Sequence, residues 1–299
     1  MALNLIETRN LAWQQRKAAS FTVSPLHCGN DELGYRPSSS YGGQGGLSLG
    51  TAVAISGAAA SPNMGYHSSP AVTFIMTLFN ARLGSWLGNP SNKQNHWEDE
   101  GPRSAFDSIV REAFGLTDES SPYVYLSDGG HFENLGLYEM VRRRCRCIVV
   151  LDGGCDPDPT SYEDLGNALR KIRIDQKIPI EFKSPFPVPG KTLEKRFALA
   201  EINYKAIDPS LENGYLIYIK PVVLETDQPD VTAYKKASPA FPHESTGNQW
   251  FNETQTESYR MLGFCSVLAV FSEQTPRDAG TANDFGKNAI GHSKRAAAS

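Results

Sequence analysis

Long apolar runs are what this chain of 299 residues most lacks. The longest are Met261 to Phe271 and the stretch from Ala71, which Asn80 and Arg82 interrupt. Both fall far short of the roughly 20 residues that a bilayer span requires. Met1 to Lys17 has no apolar core of useful length and carries Glu7 early, so it does not read as a secretory signal. The expected location is cytoplasmic or membrane-associated. Cysteine is also sparse. Five are present, an odd count without a C-x-x-C pair, which argues for reduced thiols and against a zinc site. Positive charge shows no surplus: the net charge is −4, which gives no reason to expect nucleic acid as a partner. The one dense basic run, Arg142 to Arg146, closes a helix, where cations complement the helix dipole. The glycine-rich run 42–46 lacks the Gly-Lys-Ser/Thr of a phosphate loop, so no nucleotide is expected, and no metal or other cofactor is called for.

What is present is an ordinary globular composition, 40% hydrophobic and 10% aromatic, on a chain long enough to bury a full core. Residues 1 to 45 are mixed and turn-rich. Thr51 to Ala60 reads as a small-residue helix stopped by Ser61-Pro62-Asn63. A longer amphipathic helix opens at Pro70, a residue suited to a first helical turn. Gly88 to Arg103 is polar and reads as a loop, and Ala105 to Phe114 as a short helix capped by Ser104. Further on, Ser161 starts a helix carrying Leu165, Ala168, Leu169 and Ile172 at helical spacing. Ile178–Phe182, Ala198–Tyr204 and Tyr215–Val223 read as strands, a surface loop lies around Pro185 to Gly190, and a final helix runs from about Glu253 to Phe271.

The most informative segment follows the strand-like Tyr123-Val124-Tyr125. It reads Leu126-Ser127-Asp128-Gly129-Gly130-His131, then an apolar helix pattern, then a second strand, Cys147 to Leu151, ending in Asp152-Gly153-Gly154. Strand, acidic turn, helix, strand reads as a βαβ unit, in which ligands bind outside the carboxyl ends of the strands. Asp128 is therefore where chemistry is expected. Gly129 and Gly130 form the site loop, since glycine tolerates positive φ and close approach. Several rivals are weaker. Gly46-Leu47-Ser48-Leu49-Gly50 is a literal G-x-S-x-G, but no strand precedes it as a nucleophile elbow requires. His131 reads as a loop histidine with ordinary hydrogen bonds, and Asp152-Gly153-Gly154 as a turn-shaping repeat of the acid-glycine pattern.

Taken in order, four patterns resemble the patatin-like phospholipases, including their bacterial members and the related cytosolic phospholipase catalytic domain. Ala54 to Pro62 resembles the family's small-residue helix and proline. Asp128-Gly129-Gly130 resembles its Asp-Gly-Gly/Ala motif, with Asn134 where the family carries an asparagine. Arg142 to Asp152 is similar to the following strand, and the segments Leu11–Lys17 and Phe241–Thr246 look like the bacterial members. The resemblance spans about residues 1–272, the C-terminal portion of such a domain, with 273–299 expected to be a disordered tail. It implies an α/β fold, a three-layer α/β/α sandwich with a central, mainly parallel sheet incomplete at its N-terminal side. It also implies a lipid acyl hydrolase, a phospholipase or esterase using a Ser-Asp dyad without histidine. Asp128 would be its acid, and its nucleophile is expected upstream of Met1 rather than at Ser48. The substrate would be a phospholipid or other lipid ester, with a membrane surface as a possible partner alongside the N-terminal part of the same domain. The alternative is a non-catalytic lipid-binding or scaffold protein of the same fold.

Overall fold

The computed structural model describes residues 1–4, 16–58, 83–104, 106, 108, 110, 120–156, 158, 160–184, 186, 196–245, 248 and 250–274, the last four without their side chains. The helix expected from Pro70 and the tail from Thr275 lie outside the described residues. So do most of the segment 11–17, most of the helix 105–114 and most of the loop 185–190. The chain forms two compact units, Met1–Asn134 and Leu135–Ser299.

In the first unit, β1 (Ala2–Asn4), β2 (Ala18–Ser20), β6 (Ser85–Gly88) and β7 (Tyr123–Ser127) form a sheet of order β2-β1-β7-β6. Every pairing in it is antiparallel. A second sheet joins β3 (Thr22–Val23), β4 (His27–Asn30) and β5 (Gly34–Pro37), also antiparallel. Helix α1 (Leu49–Ser56) supplies Ile55 to the core. Alternation along β7 sends Val124 and Leu126 into a core with Leu3, Phe21, Tyr41 and Leu87. Tyr125 points the other way, where its ring lies 5.3 Å from that of Trp86.

The second unit contains α2 (Leu137–Arg142), β8 (Cys147–Leu151), α3 (Glu163–Lys171), β9 (Ile180–Phe182), β10 (Phe197–Ile202), β11 (Gly214–Ile219), α4 (Pro229–Ala237) and α5 (Glu253–Gln274). Its sheet runs β8-β11-β10-β9, parallel only between β8 and β11. Ile148, Val150, Ala198, Ala200, Leu216 and Tyr218 pack with Leu137, Val141, Leu165 and Ala168 of α2 and α3. The alternate residues Phe197, Leu199, Ile217 and Ile219 pack against Val270 of α5.

A mainly parallel central sheet is therefore not the architecture, and the three-layer fold expected from the resemblance is corrected to small, largely antiparallel sheets. The βαβ unit expected across residues 123–151 fails for a definite reason: β7 and β8 hydrogen-bond in different sheets. The flanking partners of β7 are β1, only three residues long, and β6, neither of which announces itself by an apolar run. Strand β8 misleads in another way. Its unbroken apolar run suggests burial on both faces, yet it is an edge strand with Val149 and Leu151 61% and 65% exposed. No helix among the described residues is long and apolar enough to cross a membrane.

Candidate functional site

Asp128 directly follows β7, whose aromatic and β-branched residues favour an extended backbone. It caps a short 3-10 turn, Gly129–His131, and one carboxylate oxygen accepts a hydrogen bond from the Gly130 N–H at 2.7 Å. The side chain is half-buried. Its second oxygen accepts no hydrogen bond from any described residue. The two glycines matter for different reasons than a left-handed turn, because neither adopts a positive φ. A Cβ on Gly130 would lie 2.2 Å from Asn134 Oδ1 and 3.3 Å from Asp128 Oδ1, whereas one on Gly129 would meet nothing closer than 3.8 Å. Gly130 is thus required by close approach, and Asn134 is the group that approaches it.

The neighbouring polar groups are structural. Ser127 is fully buried, receives a hydrogen bond from Asn4 Nδ2 at 2.6 Å and is bonded to His131 Nδ1 at 2.7 Å. A serine with no exposed surface cannot meet a substrate carbonyl. Ser48 caps α1: its Oγ accepts from the Thr51 N–H at 3.0 Å and pairs with the Thr51 hydroxyl at 2.8 Å. Residues 38–48 ahead of it form turns and coil, with no strand to make an elbow.

Asp152-Gly153-Gly154 builds the same local turn as Asp128-Gly129-Gly130, with Asp152 Oδ1 accepting from the Gly154 N–H at 2.9 Å. Its surroundings are the opposite. Asp152 is fully buried, accepts from the Tyr218 hydroxyl at 2.5 Å and pairs with Lys220 Nζ at 3.1 Å. Lys220, itself 1% exposed, also forms an ion pair with Asp156 Oδ2 at 2.5 Å. Asp152 has both oxygens engaged and no access to solvent, so it holds the ends of the parallel pair β8 and β11 together. Sequence reasoning passed over Lys220, whose signal is plain in retrospect: it is the only charge in the run Tyr215 to Leu224.

Beside this cluster, burial and then the Lys220 charge push the His243 imidazole below its usual 6.5, against weaker pulls from the Gly154 backbone and Asp156. A base with a depressed folded pKa binds fewer protons folded than unfolded at acidic pH. Its neutral form thus contributes stability that is present above pH 6.5 and is lost as pH falls through the folded value. Denaturant melts of the protein should show this loss below about pH 6.5, and His243→Gln should flatten that part of the profile. An unchanged slope in the variant would exclude His243 as its source.

Among the described residues, no group of three or more His, Cys, Asp or Glu side chains could hold a metal ion. No family model, curated protein or solved structure matches this chain.

Proposed function

We propose that this chain carries the acid of a lipid acyl hydrolase of Ser-Asp type, with Asp128 as general base. One observation carries the reading. Asp128 is anchored through one oxygen by Gly130 at 2.7 Å, and its other oxygen takes no hydrogen bond from the described residues. An anchored carboxylate with one unsatisfied oxygen suits direct proton transfer from a serine hydroxyl, since a base must lie within hydrogen-bond reach of the proton it accepts. In such a reaction the serine oxygen bonds to the ester carbonyl carbon and its proton passes to the carboxylate. The proton is then returned to the leaving alcohol as the acyl-enzyme forms. Neither Ser48, engaged as a helix cap, nor Ser127, fully buried, suits the nucleophile's role. The Asp-Gly-Gly resemblance supports the same assignment.

The protein expressed from its complete reading frame should release free fatty acid from phospholipid vesicles and nitrophenolate from short-chain nitrophenyl esters. Vesicle binding without any release of fatty acid would overturn the hydrolase in favour of a lipid-binding scaffold.

A further inference from the structure

At the other end of β7 from Asp128, the first unit opens a cleft of about 520 Å³. Pockets of 300–1,000 Å³ are the ordinary size for small-molecule sites. Its apolar wall comes from Trp86 and Tyr123, on the face of β6 and β7 turned away from the core, with Pro102 and Pro122 beside them.

The polar groups in the cleft divide into those satisfied by the protein and those left over. Asp99 Oδ2 accepts from the Tyr123 hydroxyl at 2.8 Å and lies 3.0 Å from His96 Nδ1. The hydrogen bond from His96, then that from Tyr123, hold Asp99 below the usual carboxylate range, and burial with the Asp99 bond pushes Tyr123 up to about 12. His96 Nε2 faces Gln94 at 3.2 Å. Asp99 Oδ2 is therefore engaged and the His96 ring nitrogens are fixed in place by partners, while the Asp99 side chain stays 40% exposed.

What remains is donor capacity. Arg103 is exposed on the rim and no described residue hydrogen-bonds or pairs with its guanidinium, though its charge is felt at Asp99 and Tyr123. A guanidinium only donates, and an unpaired cation beside apolar walls favours a ligand that accepts. From this surplus we infer that the cleft binds a small organic anion, a planar or aromatic body bearing a carboxylate or phosphate. Arg103 is its charge anchor, and Trp86 and Tyr123 are its walls. The assignment is independent of the hydrolase reading, which concerns the opposite end of the strand.

Titration calorimetry of the full chain with phenyl phosphate, benzoate and neutral phenol tests it. At least one of the two anions should bind, the better binder identifying the anionic group, and phenol should bind more weakly than that anion. Arg103→Gln should weaken the anion about tenfold or more, the effect of losing a hydrogen bond to a charged group. Arg103→Lys should retain part of the affinity by keeping the charge without the two-pronged geometry. Because Arg103 is exposed, both variants should melt like the parent protein. Absence of binding by both anions at millimolar concentration would overturn the assignment. So would phenol binding as tightly as the anions, or an affinity that Arg103→Gln leaves unchanged.

Discussion

Lys220→Met should destabilise the unit Leu135–Ser299 by about 3–5 kcal/mol, the usual result of removing one partner from a buried ion pair. Lys220 is 1% exposed and lies between Asp152 and Asp156, which are 0% and 4% exposed. Methionine fills much of the same space, so little of the loss comes from a cavity. It comes from two carboxylates left in a dry site without their cation. Asp152 keeps the Tyr218 hydroxyl and the Gly154 N–H as donors, whereas Asp156 loses its ion-pair partner. Adding Asp156→Asn to Lys220→Met should therefore restore about 1 kcal/mol or more, the scale of coupling between residues in one network. For a unit of this size the single variant should lower Tm by roughly 10 °C. Denaturant unfolding of both variants checks the pair of values. A loss below about 1 kcal/mol for Lys220→Met would mean that the cluster is hydrated and the pair resembles a surface bridge.

The same cluster shows how much of the molecule could be read from the chain. The runs at 123–127, 147–151, 197–202 and 214–219 are strands, and their apolar, β-branched and aromatic residues are why they were legible. Strand direction was not legible, because an apolar run has the same composition whether its neighbour is parallel or antiparallel. The deciding partners of β7 are Ala2–Asn4 and Ser85–Gly88, too short and too ordinary to stand out. Asp128 was visible because the acid and its glycines are contiguous. His96 and Asp99 lie in a polar stretch read as a loop, and the residue that joins them, Tyr123, is 24 positions beyond Asp99. Lys220 and Asp152 are 68 positions apart in number and meet only because β8 and β11 run parallel and end together. Local patterns disclose turns and caps; they do not disclose which strand ends coincide.

If Asp128 is the general base, Asp128→Asn should lower ester hydrolysis by the complete protein about a hundredfold to ten-thousandfold, the range typical for loss of a positioned acid-base group. The substitution preserves shape. The asparagine carbonyl oxygen can still accept the Gly130 N–H that Asp128 now accepts at 2.7 Å, so the turn and its close contact with Asn134 should survive. What disappears is the basicity of the unsatisfied second oxygen, which becomes an amide donor and cannot take the serine proton. The loss should therefore fall mainly on kcat, with KM changed little, because the group acts in the transition state rather than in binding. Ser48→Ala provides the contrast: it removes a helix cap, worth about 0.5–2 kcal/mol of local stability, and should leave the rate nearly unchanged. Gly130→Ala should impair turnover by forcing Asn134 and Asp128 apart, whereas Gly129→Ala, with 3.8 Å of clearance, should be tolerated. Full activity in a folded Asp128→Asn protein would remove Asp128 from the reaction. Activity lost on Ser48→Ala would instead make Ser48 the nucleophile, despite its place at the start of α1.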